Sequence, residues 1–391
     1  MRQNHQPYST EILGQLNTIV ILETIQANGS ITRPEIIRKT GLSFSTVLRS
    51  TEKLIQSGLI VESGLEASTG GRRSTLLKLN DDDKVVIGID MGGTKILGGL
   101  ISLSGNILTK IKVKVDITSS QTSLDQLFEI IQQLIEESKQ RNLRAIGIGV
   151  GVPGITDSEG GEIVYSPSLG WEKIHLKEML DERFRLPVVV ENDVNLMALG
   201  EYGYGVGRGV PNLALLAFGT GIGSGIIIDG RLHRGSTFSA GEIGHMVPGQ
   251  KFLSGKYEHT HGALEFMCSG TGIARIANTH LREQDPAAAP ITAKDVFNSA
   301  RKGEEWATRI VSDVVDYITI SVANTIVLLD PEEIIFSGGV FESADLLLEP
   351  IKRRLDGLIP MHPDIVLSDL GPQAAIMGAA HQVLIEVAKN P

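Results

Sequence analysis

Apolar positions in the first quarter of the chain recur at helical spacing. Ile12, Leu13, Leu16, Ile19, Val20 and Leu22 predict a first helix, which Asn28-Gly29 ends. A second helix is expected from Thr32-Arg33-Pro34-Glu35, with Thr32 as cap and Pro34 in the first turn, and Gly41 stops it. Ser43 caps a third helix running from Phe44 to Ile55. Two short helices around a tight Thr40-Gly41-Leu42 turn make a helix-turn-helix. After Gly58 the period changes to that of strands. Leu59-Ile60-Val61 and Leu76-Leu77-Lys78-Leu79 flank Ser68-Thr69-Gly70-Gly71-Arg72-Arg73, which predicts a β-wing with two arginines at its tip.

From Val85 the pattern becomes that of an α/β body: strand, glycine loop, strands near 96–101 and 107–115, a helix from Ser123 to Arg141, and a strand through Ala145–Val150. Three apolar strands run into glycine turns: Asp90-Met91-Gly92-Gly93-Thr94-Lys95, Gly219-Thr220-Gly221-Ile222-Gly223, and Ser337-Gly338-Gly339. One such turn can be ordinary hairpin chemistry. Together with Asp90, which can hold Mg²⁺ through water, and the Lys95 cation, they suggest a nucleotide held in a cleft between two related domains. Gly92 and Gly93 are expected to let backbone N–H groups approach an anion and to permit positive φ. A Walker-type loop is absent, as is a GxGxxG opening a helix.

An apolar strand, Val188-Val189-Val190, delivers Asn192 and Asp193 to its end. An Asp beside an Asn suits removal of a proton from a sugar hydroxyl as a phosphoryl group arrives. The competing assignment is that Asp193 merely caps the helix beginning at Val194. Glu242 and His245 lie in a glycine-flanked turn, where a carboxylate and an imidazole can bind adjacent sugar hydroxyls.

The charge is unevenly distributed. Of a formal −10, residues 1–80 carry nine Lys/Arg against six Glu, a surplus of +3, which leaves −13 for the remainder. A basic segment on an acidic body can bind DNA phosphates while the body avoids them. Within the third helix Ser43, Ser45, Thr46, Arg49 and Ser50 are candidates for base edges, and Arg72 and Arg73 for the wing contact. The single cysteine, Cys268, excludes an intramolecular disulfide, the N-terminus lacks the apolar core of a signal peptide, and no apolar run approaches the length needed to span a bilayer, so a cytoplasmic protein with no membrane partner is expected. The expected domains are a winged helix-turn-helix at 1–80, a linker at 81–84, a first α/β domain at 85–195 joined by a C-terminal helix at 373–391, and a second α/β domain at 196–372.

These motifs, with Gly151-Val152-Pro153-Gly154 and Glu191-Asn192-Asp193-Val194-Asn195, make the chain resemble the ROK family of sugar-responsive repressors and sugar kinases, in its long form with an N-terminal winged helix-turn-helix. The resemblance implies an actin-like, hexokinase-like pair of α/β domains. It assigns Asp193 as catalytic base and Asn192, Glu242, His245 and Glu265 to the sugar. Asp90, Gly92, Gly93, Thr94, Lys95, Gly219, Thr220, Gly221, Gly338 and Gly339 would surround Mg-ATP. The final helix would pack on the first α/β domain. Ser168 stands where the family usually has an Asn near the sugar.

The family's zinc-binding cysteines are replaced by Lys256, Glu258 and Ala263, so the usual zinc site cannot form and no structural metal is expected. His245, His259, His261 and Cys268 are the residues from which a substitute could be built. The implied function is a sugar-responsive regulator, chiefly a repressor, acting on operator DNA as a homodimer or dimer of dimers. In such a dimer a ligand in the cleft would change the spacing of two recognition helices. The alternative is an ATP-dependent kinase of a hexose or N-acetylhexosamine, with or without regulation.

Overall fold

The computed structural model describes residues 9–66, 73–255 and 262–389. It divides into two compact units, Met1–Tyr204 with Ala375–Pro391, and Gly205–Ala374.

The first unit begins with the winged module: α1 (Thr10–Asn28), β1 (Ser30–Thr32), α2 (Arg33–Thr40), α3 (Phe44–Gln56), β2 (Ile60–Leu65) and β3 (Thr75–Leu79). The caps stand where the sequence puts them. Thr32 and Glu35 form a reciprocal capping box on α2, Gly41 ends it in the left-handed conformation at φ 69°, and the Ser43 hydroxyl accepts from the Thr46 N–H to start α3. Ile21, Leu22, Ile25, Ile36, Val47 and Leu54 are fully buried and form the module's interior. Strand β1, too short to show a period, adds an edge to the wing in the order β1-β3-β2.

The α/β part of this unit follows: β4 (Lys84–Met91), β5 (Lys95–Ser102), β6 (Ile107–Lys114), α4 (Ser120–Gln140), β7 (Arg144–Val152), a small sheet of β8 (Ile155–Asp157), β9 (Glu162–Ser166) and β10 (Trp171–Ile174), then α5 (Leu176–Phe184), β11 (Val188–Asn192) and α6 (Asp193–Tyr204). The main sheet has the order β11-β7-β4-β5-β6, with β4, β7 and β11 parallel. All of α6 belongs to this unit, so the boundary falls after Tyr204 rather than at 195. The expected linker is a pinned joint. Asn80 Nδ2 donates to Gly58 O (2.9 Å) and to Asp83 Oδ1 (3.0 Å), and Asp81 Oδ1 accepts from the Ser104 N–H (2.9 Å). Asp83 O accepts from the Arg144 N–H (2.7 Å) and Lys84 already belongs to β4, so wing and sheet run together without slack.

The second unit contains β12 (Leu213–Phe218), β13 (Ile222–Ile228), β14 (Arg231–Leu232), α7 (Ala263–Cys268), α8 (Gly270–Gln284), α9 (Ala293–Arg301), α10 (Glu305–Leu329), β15 (Glu333–Ser337), α11 (Ala344–Leu355) and β16 (Asp364–Leu367). Its sheet order is β14-β13-β12-β15-β16, with β12, β15 and β16 parallel. Helix α10 corrects the expectation that no run is long enough for a bilayer: by length and composition it qualifies. Its residues Val311, Val314, Ile318, Val322 and Ile326 are instead buried in this unit's core.

The chain ends in α12 (Ala374–Lys389), which returns to the first unit as the resemblance implied. Small residues make its close approach possible. A methyl group on Gly149 of β7 would stand 2.7 Å from Ala379 O, and a methyl on Gly88 of β4 would meet Ile376 O. Gly149→Ala is therefore expected to lower stability by about 1–3 kcal/mol through overpacking. Gly14→Ala, at a helical position with nothing within 4 Å, is expected to raise it by up to about 1 kcal/mol. Urea unfolding midpoints of the two variants give the comparison.

Candidate functional site

Parallel strands bring the first unit's candidate residues to one edge of its sheet. Asp90 on β4 pairs with Gly151 on β7, which pairs with Glu191 on β11. The segments that leave this edge are Gly92-Gly93-Thr94, Pro153-Gly154 and Asn192-Asp193. Ligand sites of open α/β sheets gather at such carboxyl ends.

The glycine turn is closed by the Gly92 N–H donating to Lys95 O (2.9 Å). Contrary to expectation, neither Gly92 nor Gly93 takes a positive φ. Close approach is what requires glycine: a methyl on Gly93 would stand 2.9 Å from Ser168 Cβ. The structure thus sets Ser168, a sugar candidate, directly against the nucleotide candidate loop. Asp90 lies beneath the turn, where burial pushes its carboxyl up to about 6 against the opposing pull of the Lys95 ammonium.

The Asn192 amide caps α6. Its Oδ1 accepts from the N–H groups of Val194 (2.9 Å) and Asn195 (3.0 Å), while Nδ2 donates to Gly154 O (3.0 Å). Capping of α6 thus belongs mainly to Asn192, although Asp193 Oδ1 also accepts from the Val194 N–H at 2.9 Å as the helix's first residue. Buried beneath them, Glu191 Oε1 accepts from the Asn192 N–H (2.9 Å) and from Asn195 Nδ2 (3.0 Å), fixing the strand-to-helix corner. The positioning role of Glu191 has no signal in the sequence, because a carboxylate on an apolar strand gives no direction.

In the second unit two glycine turns emerge side by side, because Ala217 on β12 pairs with Ser337 on β15. Gly338, at φ 92°, lies against the Phe218 backbone, where any side chain would collide. The Gly219 carbonyl accepts from the Gly270 N–H (2.8 Å), and the Thr220 carbonyl from the Thr271 hydroxyl (2.9 Å), so the Gly219-Thr220-Gly221 turn rests on the N-terminal end of α8. Nothing lies within 4 Å of a methyl built on Gly339.

Glu242, His245 and Glu265 come together in the same unit. Gly241 takes φ 89° and its carbonyl accepts from the Ser224 N–H (2.7 Å), which anchors the Glu242 turn to β13. Glu265 Oε2 accepts from the Ile222 N–H (2.8 Å). The Glu242 side chain is open to solvent, yet surrounding protein and the Glu265 carboxylate raise its pKa, with His245 pulling the other way. His259 and His261 lie outside the described residues. Cys268 is fully buried in the core with its thiol pushed up by burial, so it offers no thiolate to a metal. Among the described residues no group of three or more potential ligands is placed to hold a metal ion.

On the winged module Ser43, Ser45 and Arg49 are exposed and Thr46 half-buried, and Arg73 is exposed just ahead of β3, whereas Arg72 lies outside the described residues. Ser50 corrects the expectation. It is 5% exposed and its hydroxyl accepts from Thr18 on α1 (3.2 Å), so it joins α3 to α1 and faces away from solvent.

One cluster had no signal in the sequence. His381 of α12 is 2% exposed, packed edge-on against Tyr202 (5.8 Å between centroids) and Tyr204 (6.2 Å) of α6. Its Nε2 lies 3.9 Å from Glu23 Oε1 on α1 of the winged module, and its buried Nδ1 has no hydrogen-bond partner. Desolvation lowers its pKa to about 4, so the ring is neutral near pH 7. A helix that starts at Asn192 and Asp193 therefore ends against the DNA-binding module.

Comparison with known proteins agrees with this architecture. The ROK family model matches residues 86–385 and a winged helix-turn-helix DNA-binding model matches 16–61. The chain belongs to the ROK family, with a winged helix-turn-helix ahead of the family's body. It is 30% identical to the xylose repressor of Caldicellulosiruptor bescii, over 97% of this chain and 98% of that protein. The crystal structure of a ROK family transcriptional regulator, described as a homologue of E. coli Mlc, superposes with a TM-score of 0.82 at 25% identity, covering 96% of this chain and 98% of that one. A ROK glucokinase from Streptomyces griseus, solved with glucose and AMPPNP, superposes at 0.64 with 30% identity, covering 76% of this chain and 98% of that one.

The Asp90 environment has a pH consequence. Its folded-state pKa near 6 lies above an unfolded value of about 3.9. Between these values the folded state retains a proton that the unfolded state has lost, so this group's penalty to stability grows as pH rises and is complete above about 6. Asp90→Asn is expected to stabilise the protein at pH 7 by roughly 1–3 kcal/mol and to show little gain at pH 4; unfolding curves at the two pH values check the sign.

Proposed function

We propose that this chain is a sugar-responsive transcriptional repressor whose winged helix-turn-helix binds operator DNA in the cytoplasm, and whose body senses the sugar. The observation that carries the reading is α6: its first turn holds Asn192 and Asp193, and its last turn packs through Tyr202 and Tyr204 on His381, beside Glu23 of α1. Asn192, Asp193 and Ser168 in the first unit and Glu242, His245 and Glu265 in the second are the proposed sugar residues. A shift of α6 on binding would be passed to α1 through a cluster that already contains an unpartnered buried nitrogen. One such group costs about 1–3 kcal/mol, so a rearrangement that satisfies it is favoured. Ser43, Ser45, Thr46, Arg49 and the wing arginines Arg72 and Arg73 are the proposed DNA residues. A homodimer reading two half-sites fits this class of DNA-binding module. Repressor relatives that cover nearly the whole chain support the same reading.

A second reading, an ATP-dependent sugar kinase, is favoured by the Asn192 cap. Asn192 shares the capping of α6 with Asp193 Oδ1, and the Asp193 carboxylate stands at the strand end as the proposed base that takes a proton from the sugar hydroxyl. The nucleotide candidates gather at two turns, with the Lys95 ammonium as the cation for a phosphate. Gly92, Gly93, Thr94 and Lys95 form a tight turn over Asp90, and Gly219, Thr220 and Gly221 rest on the N-terminal end of α8 beside Gly338 and Gly339. Bound Mg-ATP would supply the phosphoryl group.

A thermal-shift panel that includes xylose, glucose and N-acetylglucosamine is expected to give one stabilising sugar. That sugar should change operator affinity by about 5- to 150-fold. No stabilising sugar, or one without effect on DNA binding, contradicts the reading. A coupled ATPase assay with the same panel separates the second function: turnover abolished by Asp193→Asn establishes the kinase, and absence of turnover with every sugar leaves the regulator alone.

A further inference from the structure

The inward stripe of α3 is Val47, Ser50, Thr51 and Leu54. Phe44 continues this stripe one turn earlier, yet it is 64% exposed, because the first turn of α3 projects past the module's interior. It is the first residue of α3, the end that enters the major groove in helix-turn-helix complexes. The hydroxyls around it are engaged with one another: Ser43 Oγ lies 3.0 Å from Ser45 Oγ and 2.9 Å from Thr46 Oγ1, and also accepts from the Thr46 N–H. Within this first turn, the group offered to a base edge without breaking a hydrogen bond is therefore an aromatic ring.

Among the unmodified bases, the major-groove edge carries one apolar group, the C5-methyl of thymine, and Phe is among the side chains that pack against it. We infer that Phe44 is a specificity-determining residue that reads a thymine methyl in each operator half-site, with the polar side chains of α3 making their contacts around it. Arg49 and Lys53, exposed on the same helix, carry cationic donors suited to phosphates and guanine edges, and neither favours thymine. The inference rests on the DNA-binding reading and names one determinant of its sequence preference.

The test uses the full chain and a duplex pool with random sequence. Retention of selected duplexes by the wild type tests DNA binding itself. For this inference, wild type should select thymine at one fixed position per half-site, and Phe44→Ala should lose that preference. Replacing that thymine by uracil, which removes only the methyl, is expected to weaken wild-type binding by about 3- to 10-fold and to leave Phe44→Ala unchanged. The uracil measurement on wild type stands even if the variant is poorly folded. Equal binding of thymine and uracil duplexes by wild type overturns the inference. So does an equal loss on all sequences in Phe44→Ala, or a change in its oligomeric mass, which would place Phe44 in a protein contact instead.

Discussion

A neutral, buried histidine at the meeting of three helices is the constraint on which the rest of this molecule depends. His381 arrives on α12, is enclosed by Tyr202 and Tyr204 from α6, and lies beside Glu23 of α1. Gly203 leaves room for it: a methyl there would stand 2.7 Å from its Nδ1. Besides the wing and its continuation into β4, this packing joins the helical side of the module to α6 and α12. With it, α1 cannot shift relative to α6 and α12 unless the cluster repacks. One turn on from Glu23, Gln26 also buries a side-chain nitrogen, Nε2, without a partner. Unsatisfied polar atoms are uncommon in folded interiors and call for a specific cause. Under the proposed function, a junction that serves two arrangements of the DNA-binding module would be such a cause.

The same economy runs through the α/β part of the first unit. Glycines in β4 and β7 admit α12 against the sheet, and α12 in turn holds His381. The parallel strands then set Asp90, Gly151 and Glu191 in one row, so the turns that follow them open at one edge. Glu191 locks the corner after β11, and Asn192 caps α6. The helix that carries Asp193 is thereby rigid at its start and packed at its end. That is what a structural element needs if it is to report occupancy over its length. The high pKa of Asp90 shows the other side of this arrangement: a carboxyl kept where burial disfavours its charge is poised for a cation, at some expense in stability.

Local chemistry made the winged module legible. Thr32, Pro34, Gly41 and Ser43 each satisfy a specific backbone demand, and each stands at the helix end it marks. Strand β1 and the small sheet β8 to β10 escaped because three to five residues show no period. The inward position of Ser50 is legible in its spacing, three residues after Val47 and four before Leu54, although its hydroxyl suggests a base contact. The turn at Gly92-Gly93 is legible in the sequence, but neither glycine adopts the expected positive φ, and the crowding by Ser168 that requires glycine at Gly93 is a long-range fact. The junction at His381 was illegible for the same reason. Its members come from three helices far apart in the chain, and no single one carries an unusual local pattern.

The central claim is that occupancy of the body is felt by the DNA-binding module through the Tyr202, His381 and Glu23 cluster. The most direct measurement is the ratio of operator affinities with and without saturating sugar, in wild type and in Tyr202→Leu. The expected ratio is about 5 to 150 in wild type, collapsing toward one in the variant while the affinity for sugar alone stays within about twofold. An undiminished ratio in a folded, sugar-binding Tyr202→Leu protein would contradict it.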